Sequence, residues 1–229
     1  MEALNEASQP AGDRVAAGLR GFGPLGIAAI LAILAGNLVG PPLSALLVLS
    51  WAWRSRTAWR ELGFVRPASW WRTVAAAIVA GVAFKLAMKA AVMPLLGADP
   101  INRAYHYLAG NCAALPGMVL AVIFGAGFGE EVVYRGWMFE RLAKLLGTGA
   151  RAKAFIVLLT STLFGLAHWT GQGLPGVEQA TIFGLVIGTI FAITGRLWPL
   201  IIAHAAFDLT ALAIIYWDIE PTIAHLLFK

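Results

Sequence analysis

Residues 112–138 read CAALPGMVLAVIFGAGFGEEVVYRGWM. An apolar run of this length with few charges reads as a transmembrane helix, yet this one contains Glu130, Glu131 and Arg135. A charge at the bilayer centre costs from about 2.5 to above 10 kcal/mol, depending on the reference state, so such residues are by default paired or functional.

The whole chain has the same character. Its 229 residues are 59% hydrophobic and 13% charged, with a mean hydropathy of +0.76, far more apolar than a soluble domain. The composition predicts an all-α, polytopic transmembrane bundle. The lone cysteine, Cys112, excludes an intrachain disulfide framework and a multi-cysteine zinc site and reads as a small buried apolar residue. The net charge of +5 does not point to nucleic acid, because the basic residues form no patch with interleaved stacking aromatics. Arg54, Arg56, Arg60, Arg66 and Arg72 fall between two apolar segments, and Arg141, Lys144, Arg151 and Lys153 between two others. That is the pattern of cytoplasmic loops, with Trp51, Trp53, Trp59, Trp70 and Trp71 placed as headgroup-level anchors.

About seven spans are expected: Phe22–Val39, Pro41–Trp53, Thr73–Gly97, Ala113 to about Leu146, Ala154 to about Trp169, Ala180–Thr194 and Leu200–Trp217. The second is short for a span of about 20 residues. Residues 1–21 read as a loose cytoplasmic tail, 22–111 as N-terminal helices and loops, 112–217 as the transmembrane core that carries most of the membrane-depth charges and 218–229 as a C-terminal tail. Loops 98–111 and 170–178 are expected outside, in a bacterial plasma membrane with lipids as neighbours. Gly36 with Gly40 and Gly184 with Gly188 read as close-packing pairs, while Gly125, Gly127 and Gly129 thin the fourth span where a substrate backbone could approach.

The fourth helix leaves the hydrocarbon near its basic C-terminal end, and the acidic, basic and histidine side chains at membrane depth are few. They are Glu130, Glu131, Arg135, His168, His204, Asp208, Lys85 and Lys89. Glu131 and Arg135 are spaced i, i+4 for an ion pair that reads as structural. Phe164 with His168 and His204 with Asp208 repeat that spacing. Phe164 reads as packing, and Lys85 and Lys89 as facing a polar cavity or snorkelling. Glu130 points about 100° away from Glu131 on an α-helix, so the two need not share a role. By this count His168 falls near the outer end of its span and Glu130 and His204 nearer the cytoplasm.

The strings EEVVYR, FGLAH and HAAFD, on successive spans, resemble the EExxxR, FxxxH and HxxxN/D motifs of the CPBP (Abi) family. That family includes the CAAX-processing endopeptidase of prenylated proteins and bacteriocin-immunity proteins. The resemblance covers about Leu115–Leu212 and implies a membrane peptidase, with Asp208 standing where asparagine is common. The residue chemistry points the same way: Glu130 in an apolar surround suits a general base and later acid, His168 would orient the attacking water, and His204 backed by Asp208 would stabilise the oxyanion. A zinc version using Glu130, His168 and His204 is an alternative. No serine, threonine or cysteine stands near these motifs as a nucleophile. The rival classes are a proton- or ion-coupled transporter, weakened by the absence of repeats, and a non-catalytic immunity or scaffold protein of the same fold.

Overall fold

The computed structural model describes residues 11–228, and the first ten residues of the expected N-terminal tail lie outside that range. The described chain is helical, without strands. We number its helices α1 (Ala11–Arg20), α2 (Pro24–Val39), α3 (Pro41–Ser55), α4 (Trp70–Leu95), α5 (Leu115–Leu146), α6 (Ala150–Ala167), α7 (Trp169–Thr194), α8 (Trp198–Tyr216) and α9 (Glu220–Ala224).

Helices α2 to α8 occupy the seven apolar runs. Five of them, α4 to α8, are long and apolar enough to cross a membrane alone, and a sixth span arises if α1 and α2, bent by 61°, count as one. Helix α3, with 15 residues, is about 22 Å long, shorter than a hydrocarbon core of about 30 Å. Proline opens α2, α3, α5 and α8 within the first helical positions, where its missing N–H has no intrahelical partner to lose.

Several boundaries differ from expectation. Residues 11–20 are a docked helix: Trp51 Nε1 donates to Leu19 O at 2.9 Å, and Arg141 donates to Arg20 O at 2.8 Å. Residues 170–178 belong to α7, which is broken only at Gly173, where φ is 64° and ψ −158°. A conformation with positive φ favours glycine. The C-terminal tail contains α9, whose Glu220 is buried and accepts from Lys89 at 2.7 Å. Cys112 is exposed, with Sγ 2.9 Å from the Tyr216 hydroxyl. Arg141 is not a free loop charge, since its Nε donates to Glu140 at 2.5 Å and its guanidinium lies 4.5 Å from the Trp51 ring centroid.

Close helix approaches hold the site in place. A Cβ at Gly81 of α4 would fall 2.2 Å from Ala203 O of α8, and one at Gly127 of α5 would fall 2.8 Å from Ala205 Cβ of the same helix. A Cβ at Gly129 would fall 3.1 Å from the Pro41 backbone, and one at Gly184 3.1 Å from Ser161. These glycines let backbones meet without lipid between them. One apolar core runs through the bundle, with Val48, Val132, Trp137, Phe164, Phe183, Leu200 and Phe207 among its buried members.

Candidate active site

The middle of α5 is wound as a π-helix from Ala121 to Trp137, and π segments are frequent at functional sites. Its wider winding alters the relation expected of Glu130 and Glu131. The two neighbours grip one imidazole from opposite sides: Glu131 Oε1 lies 2.7 Å from His204 Nδ1, and Glu130 Oε2 lies 3.7 Å from His204 Nε2. The 100° separation assumed for an α-helix hid this arrangement.

Arg135 donates to Glu131 Oε1 at 2.9 Å, and both residues are buried. The expected pair is therefore present, and it extends to the site through His204. Its guanidinium carbon lies 4.6 Å from the Phe164 ring centroid and 6.0 Å from that of Phe183, a cation–π position. Phe164 in turn stands 6.0 Å from the His204 ring and 4.8 Å from the His168 ring. It packs, as expected, and it also joins the two histidines.

Asp208 does not stand behind His204. Its Oδ2 approaches Nε2 at 3.5 Å, the same nitrogen that faces Glu130, while Glu131 takes the buttressing position at Nδ1. Because Nδ1 and Nε2 lie on opposite edges of the ring, one residue could not occupy both, and the i, i+4 spacing could not say which edge Asp208 reaches.

His168 closes α6 as its C-cap, at φ −87° and ψ −7°. Its Nδ1 lies 2.8 Å from Phe164 O. A carbonyl can only accept, so Nδ1 carries the proton and Nε2 keeps the free lone pair. Glu130, Phe164, His168, His204 and Asp208 all line one cavity of about 360 Å³. The difference in depth read from the sequence is thus overcome by α5, 32 residues long, which carries Glu130 near its midpoint to the level where α6 ends.

The cavity wall also contains residues that the motifs do not include: Lys85, Gln179, Phe183 and, from loop 98–111, Asn102 and Tyr105. Lys85 carried a signal in its membrane-depth charge, whereas Gln179 and Phe183 resemble ordinary span residues. Of the glycine run, only Gly125 lines this cavity, while Gly127 and Gly129 serve helix contacts. Among the described residues, no group of three or more His, Cys, Asp or Glu side chains is disposed to hold a metal ion. The zinc set Glu130, His168 and His204 is not assembled as such.

No curated protein and no solved structure matches the chain. Residues 112–210, a little under half of it, match the family model described as type II CAAX prenyl endopeptidase Rce1-like. That segment contains all three motifs and every residue that brackets His204. Over residues 112–210 this multi-pass membrane protein is therefore similar to the type II CAAX prenyl endopeptidase Rce1-like family.

Proposed function

We propose that the protein is an intramembrane endopeptidase that hydrolyses a peptide bond in a membrane-associated protein or peptide, using water activated by Glu130. One observation carries the reading: a carboxylate, an imidazole with a free Nε2 and a second imidazole bracketed by carboxylates line a single cavity among apolar helices.

Amide hydrolysis needs a base for the water, a donor for the oxyanion and a proton for the leaving amine. Glu130 takes the proton from water as its oxygen attacks the carbonyl carbon, and later delivers that proton to the leaving nitrogen. The Nε2 lone pair of His168 accepts a hydrogen bond from the same water and orients it. His204 has its Nδ1 proton committed to Glu131, so it donates from Nε2 to the oxyanion as the imidazolium. The carboxylates of Glu130, Glu131 and Asp208 are its counter-charges. Arg135 fixes Glu131 and thereby the ring. The family description extends the proposal to a prenylated substrate, and the basic segments to a cytoplasmic N-terminus in a plasma membrane.

The test is Glu130→Gln in the full chain reconstituted with candidate membrane peptides. The amide keeps size and hydrogen bonding but lacks the basic oxygen. Cleavage should fall by about 10²–10⁴-fold at unchanged membrane abundance. Near wild-type cleavage by this variant would defeat the assignment, and ion flux by Glu130→Gln without any cleavage would favour a transporter.

A further inference from the structure

The cavity that holds Glu130 continues into a second one of about 280 Å³, and Lys85, Asn102, Gln172 and Gln179 line both. Among the described residues on the wall of the first cavity, Lys85 is the one lysine or arginine. Its side chain is 5% exposed. Nζ donates to Gln179 Oε1 at 2.8 Å and lies 4.9 Å from the Phe207 ring centroid. Neither partner carries a charge.

Lys89, the next basic residue of α4, differs. It donates to Glu220 at 2.7 Å and to Pro100 O at 2.5 Å, so its charge is neutralised within the fold. Lys85 forms no ion pair with the described residues, and Asp208, on the same wall, is paired with His204. A buried ammonium with three donors and one neutral acceptor has unused capacity for an anion.

Its place is set by the close α4–α8 contact. Gly81 and Lys85 are spaced i, i+4 and share a face. Gly81 lets that face reach Ala203, which brings Lys85 over Phe207, between His204 and Asp208 in the chain. The charge therefore stands beside the proposed scissile position, on the wall shared with the second cavity.

We propose that Lys85, supported by Gln179, anchors a carboxylate of the substrate, so that the enzyme selects peptides with an anionic group near the cut bond. The carboxylate belongs either to the substrate's C-terminus or to an acidic side chain. This specificity rests on the reading that the Glu130 cavity receives the peptide. Lys85 acts on the substrate's charge and takes no part in moving the proton.

The test measures binding apart from turnover. The full chain with Glu130→Gln, in nanodiscs, is titrated with a fluorescent S-farnesyl pentapeptide with apolar residues after the cysteine. The peptide is used as the free acid, as the C-terminal amide, and as an amide ending in aspartate. The free acid should bind roughly 30-fold or more tightly than the simple amide. Tight binding of the aspartate amide as well assigns the anchor to any carboxylate, while its loss assigns the anchor to the C-terminus. Lys85→Met should erase the preference, as should Gln179→Glu, which places a carboxylate on Lys85 without changing side-chain size and serves if the methionine variant does not fold.

Equal binding of acid and amide, no binding of any of the three, or a preference that survives both substitutions overturns the anchor. Acid-selective binding by a wild-type protein that cuts none of the peptides defeats the peptidase reading and leaves the anchor standing.

Discussion

Glu131 is the residue on which the site depends for its shape. It accepts from Arg135 at 2.9 Å and from His204 at 2.7 Å through the same oxygen. Arg135→Ala leaves that carboxylate buried with a single partner, at a cost on the order of 3 kcal/mol. Membrane abundance and cleavage should fall together, read by immunoblot and by turnover per molecule. Glu131→Gln removes the charge but keeps the shape. It also leaves buried Arg135 without its counter-charge, so abundance should fall here too, and turnover per remaining molecule should fall further because His204 loses the counter-charge that supports its imidazolium. Wild-type turnover per molecule in Glu131→Gln would reduce Glu131 to a structural role. In the glutamate mechanism proposed above no step uses zinc, so a membrane-permeant chelator should leave wild-type cleavage unchanged. Inhibition reversed by added Zn²⁺ would replace the mechanism.

At the level of the helices, α5 and α8 build the chemistry, and glycines set their distance from neighbours. Gly81→Val forces a side chain into a gap where even Cβ would stand 2.2 Å from Ala203 O. It should lower stability by about 1–3 kcal/mol, seen as a fall in Tm in detergent. Gly125→Ala provides the contrast. Its Cβ would meet Pro42 Cγ at 3.8 Å, an ordinary contact, while projecting from a cavity wall. Its Tm should stay close to wild type, and any effect should appear in KM. A large drop in Tm for Gly125→Ala, with none for Gly81→Val, would contradict these packing assignments.

Over the whole molecule, the two ends of the bundle are fastened differently. At one end, Arg141 ties α5 to α1, and Leu197 N donates to Gly63 O at 2.8 Å. At the other, buried Glu220 gathers Lys89, the backbone N–H of Asn102 at 3.0 Å, and the neighbouring loop, which reaches over the cavity through Asn102 and Tyr105. Glu220→Gln leaves Lys89 buried without its counter-charge, and truncating one partner of such a pair costs roughly 3–5 kcal/mol. Because the clamp is local, residues 98–108 and α9 should show faster hydrogen exchange, while the α5–α8 contact stays protected. Uniformly faster exchange throughout the bundle would show that the clamp supports the entire fold.

The sequence by itself determined the helical class, the apolar runs and the small group of membrane-depth charges, because hydropathy and the cost of intramembrane charge act locally along the chain. The Glu131–Arg135 pair was legible for the same reason, its partners being four residues apart. The motif strings were legible as a resemblance, and the family match over residues 112–210 agrees with it. Tertiary structure alone decided which nitrogen of His204 meets which carboxylate. Those groups come from α5 and α8, and π winding changes the direction in which neighbouring side chains leave the helix. It also decided that residues 11–20 and 220–224 are docked helices: their partners lie far along the chain, and short segments of mixed polarity reveal their burial only when those partners are present. The different fates of Lys85 and Lys89 follow from the same cause, since one meets Glu220 across 131 residues of sequence and the other meets a cavity.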